Sequence, residues 1–345
     1  EAKSVTREFV YWGSLLACLE MARSGTTTFT DMYYFEEEVA RAAERAGLRG
    51  VLGQTIIGIA APDYKSTDEA LAGAERFLER YKDHPLVVPS IAPHALYTTS
   101  FAAIQKAHQL AKKFDVPLQI HAVEAREEDR LVQDKLGKKT IEALDEAGLL
   151  GPGVLLAHGV WLTHEDIRQV ARSGAGVSHN PESNMKLASG IAPVSKLLSA
   201  GIAVGLGTDS CASNNDLDMF QEMDTAAKLH KAHTLDPTVM DVSSVLKMAT
   251  IEAGRAIGLD RRMGSLVKGK QAVLLIIDTH QPHMVPLYNP VSQIVYSARG
   301  SDVRDVMVAG KMLVRNRALT TLDQDDILNK VKVLSREIAR TFHES

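Results

Sequence analysis

Short apolar runs alternate with amphipathic stretches along most of the chain. The β-rich runs are 25-GTTTFTDM-32, 49-RGVLGQTII-57, 86-LVVPSIAPH-94, 117-PLQIHAVE-124, 154-VLLAHGVW-161, 174-GAGVSHNP-181 and 203-AVGLGTDS-210. Between them lie segments of helical period, such as 35-FEEEVARAAERAG-47 and 100-SFAAIQKAHQLAKKF-114, with Gly47 and Gly174 where helix C-caps belong. Apolar strands separated by helices predict a parallel sheet covered on both faces, and the commonest closed form of such a sheet is the (β/α)8 barrel. About seven runs are present, and the chain opens on a helical segment, 7-REFVYWGSLLACLEMARSG-25. A closed barrel of this kind needs eight strands. The expectation is an α/β fold, a distorted (β/α)8 TIM-like barrel whose first strand is missing from the front of the chain.

After residue 265 the pattern changes. The segments 271-QAVLLIID-278 and 303-VRDVMVAGKMLVRNRAL-319 read as antiparallel strands, the second as a hairpin turning at Ala309, Gly310 and Lys311. The tail 323-DQDDILNKVKVLSREIARTFHES-345 reads as an amphipathic helix with acidic residues at its start. The predicted organisation is a hydrolase-type barrel over 1–265 (strands two to eight), part of a small β-sandwich appendage over 266–322, and a C-terminal helix over 323–345.

Composition narrows the function. With 345 residues, 45% of them hydrophobic, and a net charge of -4, the chain holds one large domain or a large and a small one. Charges of both signs are interspersed, which argues against a nucleic-acid or membrane surface, and no run of about 18 apolar residues suggests a span. Cys18 and Cys211 are the only cysteines. They provide no disulfide framework and fit a reducing cytoplasm. The opening EAKSVTREFV has neither a signal-peptide pattern nor an initiator Met.

The chemistry is concentrated where the strands end. His94 lies in 92-APHALY-97, His121 and Glu124 in 120-IHAVE-124, His158 in 156-LAHGV-160, His179 and Asn180 in 178-SHNPESN-184, and Asp209 in 207-GTDS-210. A single strand histidine is ordinarily a packing residue. His84, His108, His164, His230, His233, His280, His283 and His343 fall in helices or loops and are assigned to surface or packing. A histidine or acid at five consecutive strand ends is harder to attribute to packing, because barrel active sites are built at that face. Imidazole and carboxylate donors together suit zinc or a similar divalent ion. Cys211, two positions past Asp209, is not counted as a ligand, since nitrogen and oxygen donors already occupy matching positions.

The set HxxE, AHG, SHNPxSNMKLASG and GTDSxxSNNDLDM, in this order from about residue 7 to about residue 322, resembles the amidohydrolase superfamily. Within it, 208-TDSCASNNDLDM-219 makes the chain similar to the methylthioadenosine/S-adenosylhomocysteine deaminases. That resemblance implies metal-dependent hydrolytic deamination of an adenine nucleoside (5'-methylthioadenosine, S-adenosylhomocysteine or adenosine) to the inosine analogue and ammonia. It implies one divalent metal, zinc first, with iron and manganese as alternatives. His121 and Asp209 would be metal ligands, and Asp209 would also accept the proton of the attacking water. Glu124 would contact the purine and shuttle a proton to a ring nitrogen. His158 would orient and polarise the nucleophile, and His94 would contact the substrate. The partner is then a small molecule, with no nucleic acid or membrane, and a homodimer is the default assembly.

The chain departs from the resemblance in two places. The family carries an HxH pair on its first barrel strand, and no HxH occurs here. Two protein ligands hold zinc poorly, since catalytic sites usually show three. The expectation is therefore that residues ahead of Glu1 supply the others, or that the chain is a catalytically broken homologue acting as a binding or assembly partner. In addition, 51-VLGQTIIGIAAPDY-64 has no Arg to hold a substrate carboxylate, which favours a neutral adenine nucleoside. The remaining alternative is a related amidohydrolase acting on a triazine, guanine, cytosine or pterin. Two local readings complete the picture: 179–190 as a loop lining the pocket, and Ser213 or Asn214 capping a helix with Asp216 and Asp218 in its first turn.

Overall fold

The computed structural model describes residues 4–343. Seven parallel strands form one sheet in sequence order: β1 (Thr28–Tyr33), β2 (Arg49–Ile56), β3 (Val87–Pro93), β4 (Leu118–Ala122), β5 (Val154–His158), β6 (Gly176–His179) and β7 (Val204–Leu206). They curl into a half-barrel with helices on the outside, so the predicted TIM-like α/β architecture is present. Among the described residues β1 is paired to β2 alone and β7 to β6 alone.

The helices are α1 (Arg7–Ser24), α2 (Glu36–Ala46), α3 (Thr67–Tyr81), α4 (Phe101–Phe114), α5 (Glu128–Leu136), α6 (Thr140–Glu146), α7 (His164–Ser173), α8 (Pro181–Lys186), α9 (Val194–Ser199), α10 (Met219–Thr234), α11 (Val242–Met248), α12 (Ile251–Ala256), α13 (Pro290–Tyr296) and α14 (Gln324–His343). None is long and apolar enough to cross a membrane.

The local chemistry explains the boundaries. Every residue of β2 is buried, as expected for a strand covered on both faces. Gly47 and Gly174 end α2 and α7 with φ of 82° and 79°, a left-handed conformation that a Cβ disfavours. The expected cap at Ser213 or Asn214 is not used. Helix α10 begins later, at Met219, and Asp218 is its N-cap, accepting from the Phe220 N–H at 2.9 Å. Asn214 instead donates to the Thr208 carbonyl at 3.0 Å and to Glu222 Oε1 at 2.7 Å. The segment 179–190 is not a plain loop, because Pro181 at the first helical position starts the short helix α8.

The β appendage is an antiparallel sheet of β8 (Leu274–Ile277), β9 (Val303–Val308), β10 (Lys311–Arg315) and β11 (Ala318–Leu319), in the order β11-β10-β9-β8. The β9–β10 hairpin turns at Ala309 and Gly310, both at positive φ (49° and 82°), as a two-residue turn requires. Val303, Val306, Val308 and Leu313 from this sheet lie in the same buried cluster as Leu15, Cys18 and Leu19 of α1 and Ile327 of α14. Helix α1 also reaches the loop after β7. Glu20 Oε1 accepts from the Leu217 N–H at 2.9 Å, and Ser24 Oγ donates to the Leu217 carbonyl at 3.3 Å. The fold therefore braces the segment that carries Asp209 from outside the barrel.

Candidate active site at the carboxyl ends of the strands

Four of the predicted residues meet in a row across β3, β4 and β5. The ring centroids of His94 and His121 are 4.8 Å apart, and those of His121 and His158 are 5.4 Å apart and nearly parallel. His158 Nε2 lies 3.7 Å from Glu124 Oε2. Parallel pairing produces this row: His121 sits opposite Ala157 and Ala122 opposite His158, so side chains at successive strand exits converge on one edge.

The orientation of His121 is set by its neighbour. The His94 carbonyl accepts both the backbone N–H of His121 and its ring Nδ1–H, each at 3.0 Å. That arrangement commits Nδ1 and leaves the Nε2 lone pair unspent, which is how a ligating histidine is ordinarily prepared. His94 Nδ1 is 2.8 Å from the Thr98 hydroxyl. Burial, with His121 as a smaller influence, pushes the His94 ring down to about 4. Burial also lowers His158, so its imidazole is neutral near pH 7.

The turn after β4 is fixed by a carboxylate. Glu128, at the start of α5 and 1% exposed, accepts the Val123 N–H at 2.8 Å and the Glu124 N–H at 3.0 Å. Burial raises Glu128 to about 7, against the opposing pull of those two N–H groups. Val123 (φ 55°), His158 (φ 72°) and Asp209 (φ 61°) are non-glycine residues in the left-handed region. Such conformations persist only where the surroundings enforce them, and they gather at functional sites.

Asp209 is held separately. Its Oδ2 accepts from Ser183 Oγ at 2.7 Å and its Oδ1 from the Ser210 N–H at 2.7 Å. The link to the histidine row is α8, since the next residue, Asn184, has its Nδ2 3.0 Å from His158 Nδ1. Ser183 and Asn184 were quoted in the sequence motif but not singled out. Their signal was position, because two adjacent polar residues in the first turn of a Pro-started helix point at two strand exits at once. Asp31 on β1 was also missed. Desolvation pushes its half-buried carboxyl up to about 7, and Asp209 contributes a smaller push in the same direction.

His179 is not brought into the row. It is 1% exposed and turned toward α10, with Nε2 3.0 Å from Nε2 of His230. Burial holds it well below the ordinary imidazole value. Cys211 is a free thiol. Among the described residues no three His, Cys, Asp or Glu side chains are grouped closely enough to hold a metal ion. His121, with a free Nε2, and Asp209, with a braced carboxylate, fit a divalent ion in kind. Two donors are one fewer than catalytic zinc usually takes from protein.

The sequence matches the amidohydrolase family over residues 2–313. It is 47% identical over 344 residues to 5-methylthioadenosine/S-adenosylhomocysteine deaminase 1 of Syntrophus aciditrophicus (strain SB), covering 100% of this chain and 78% of that protein. It is 42% identical over 336 residues to the 5'-deoxyadenosine deaminase of Methanosarcina mazei, covering 97% of this chain and 77% of that one. Among solved structures, an adenosine deaminase from Xanthomonas campestris with bound zinc superposes with a TM-score of 0.96 at 36% identity, covering 99% of this chain and 77% of that chain.

Proposed function

The chain belongs to the amidohydrolase family, and from that premise we propose that it deaminates an adenine nucleoside hydrolytically, giving the inosine analogue and ammonia. The observation that carries this reading is the row His94, His121, His158 and Glu124 at the ends of β3, β4 and β5. The relatives' names, which specify methylthioadenosine, S-adenosylhomocysteine and 5'-deoxyadenosine, support the adenine nucleoside as substrate. The absence of Arg from 51–64 favours a neutral member of that class. In this reading residues 1–265 carry the chemistry, while 266–322 and 323–345 brace it.

His121 and Asp209 would hold the divalent ion, which we assign as zinc because both donor types suit it. When bound, such an ion supplies hydroxide near neutral pH by acidifying water. The chain's own residues do the rest. The attacking water adds to the amino-bearing ring carbon, and Asp209 takes its proton. Glu124 delivers a proton to the adjacent ring nitrogen, so that negative charge does not accumulate on the ring as it is attacked. Asp209 passes its proton to the exocyclic amine, which leaves as ammonia, and the hydroxyl proton returns to Glu124 as the ring carbonyl of the inosine analogue forms. His158 orients the nucleophile from beside Glu124, and His94 contacts the substrate at the rim.

A substrate panel tests the assignment. Adenosine, 5'-deoxyadenosine and 5'-methylthioadenosine should release ammonia with loss of adenine absorbance. Guanine and chlorotriazines should be turned over at least about a hundredfold more slowly, since a site built around specific hydrogen bonds rejects a ring that leaves them unpaired. Equal or faster turnover of guanine or a triazine would replace this reading.

A further inference from the structure

We infer that Asn184 is a positioning residue that fixes the tautomer of His158, so that His158 presents a permanent Nε2–H donor toward Glu124 and the nucleophile. As a catalytic statement, this rests on the deaminase reading above. The geometry comes from the two contacts of one ring. Asn184, 1% exposed, has its Nδ2 3.0 Å from Nδ1 of His158. On the opposite side, Nε2 of the same ring is 3.7 Å from Glu124 Oε2.

A neutral imidazole has one N–H and one lone pair. With the proton on Nε2, the ring donates toward the carboxylate and Nδ1 accepts from the Asn184 amide, so both contacts are favourable. With the proton on Nδ1, two N–H groups face each other and a lone pair faces a carboxylate. Rotating the Asn184 amide by half a turn repairs only the first conflict. The contact with Glu124 therefore selects the tautomer and the amide orientation together. The remaining Asn184 acceptor, Oδ1, is buried without a partner, as expected of a side chain held for its donor.

The consequence is a division of labour. With Nδ1 occupied by a donor and Nε2 already protonated, His158 has no free site for a proton and faces Glu124 Oε2 as a donor, so the proton that Glu124 carries in catalysis sits on its other oxygen, Oε1. That proton is reserved for the substrate ring nitrogen. Asn184 thus acts through His158 without touching the reacting atoms.

The test is long-range proton–nitrogen correlation NMR on protein labelled with 15N histidine, with the His158 signal assigned by its loss in His158→Gln. The wild type should show a bare Nδ1 and a protonated Nε2. In Asn184→Asp, which has the same shape but offers only acceptors, the proton should move to Nδ1. In the same variant kcat should fall at least about tenfold with KM within about threefold, the range expected when an orienting hydrogen bond is lost. Asn184→Ala should give mixed tautomers and a comparable loss of kcat. A protonated Nδ1 in the wild type would overturn the inference, as would an unchanged tautomer in Asn184→Asp or an inverted tautomer with wild-type kcat. The tautomer reading needs no substrate, so it stands or falls separately from the nucleoside assignment.

Discussion

Ser183 Oγ donates to Asp209 Oδ2 at 2.7 Å, joining the first turn of α8 to the exit of β7 across 26 residues. The bond matters because Asp209 is at positive φ and leaves an apolar strand of three residues, Val204–Leu206. Nothing in the strand itself aims that carboxylate. Replacing Ser183 by Ala removes the donor and little else, since Ser183 is fully buried and the change deletes one oxygen. We expect Ser183→Ala to lower kcat/KM or metal affinity about 10- to 100-fold, with a melting temperature within a few degrees of wild type. Titration of the apo-protein with zinc, run beside steady-state kinetics, checks this, and full wild-type values in both would remove Ser183 from the account.

The turn that aims Glu124 depends on Glu128, which accepts the backbone N–H groups of Val123 and Glu124. In Glu128→Gln one of those N–H groups faces an amide NH2. A buried donor without an acceptor costs about 1–3 kcal/mol, and the other backbone tie at Val123, its carbonyl accepting from the Trp161 N–H at 2.9 Å, does not replace it. The expected result is a loss of stability of that size together with at least about a tenfold drop in kcat. A variant with unchanged denaturation midpoint and rate would show that the turn holds itself.

Glu222 makes stability depend on pH. It is fully buried beside Asn214 at the start of α10, and burial pushes it up to about 9 from the ordinary 4.5. The folded state therefore keeps a proton that the unfolded chain has lost. Folded pKa above unfolded means that the stability is present below about 4.5 and is lost as pH rises toward 9. Glu222→Gln, which cannot ionise, should flatten this decline by a few kcal/mol between pH 5 and pH 9. Urea melts of both proteins across that range make the comparison, and parallel stability curves would refute the assignment.

Close packing of the sheet on its outer helices predicts an intolerant glycine. A Cβ on Gly176 would lie 2.6 Å from both the Cα and the carbonyl oxygen of Ala256, so backbone must move. Gly176→Ala should destabilise by about 1–3 kcal/mol, seen as a lower melting temperature. An unchanged melting point would mean that β6 and α12 separate freely.

Much of the scaffold was legible because it follows local rules. Apolar runs became β1 to β7, glycines at helix ends became left-handed caps, and the Ala309-Gly310 turn formed a hairpin. The HxxE spacing placed His121 and Glu124 at one strand exit, and parallel register brought His158 beside them. What could not be read depended on contacts distant in sequence. His179 occupies the same kind of strand end, yet its ring is claimed by His230, 51 residues later on α10. Asn214 resembles a cap, but Glu222 and the Thr208 carbonyl compete for its amide, and Asp218 caps instead. Ser183 and Asn184 acquire meaning only when α8 is seen to reach two strands.

The deaminase chemistry is read out by incubating the protein with zinc, adding 5'-methylthioadenosine, and following ammonia release together with loss of adenine absorbance. The expected result is equimolar ammonia and inosine analogue, stopped by a chelator and reduced at least about a hundredfold in Glu124→Gln, the scale of a lost general acid–base group. Zinc-loaded protein that releases no ammonia from any adenine nucleoside, or a Glu124→Gln variant that keeps the full rate, would contradict it.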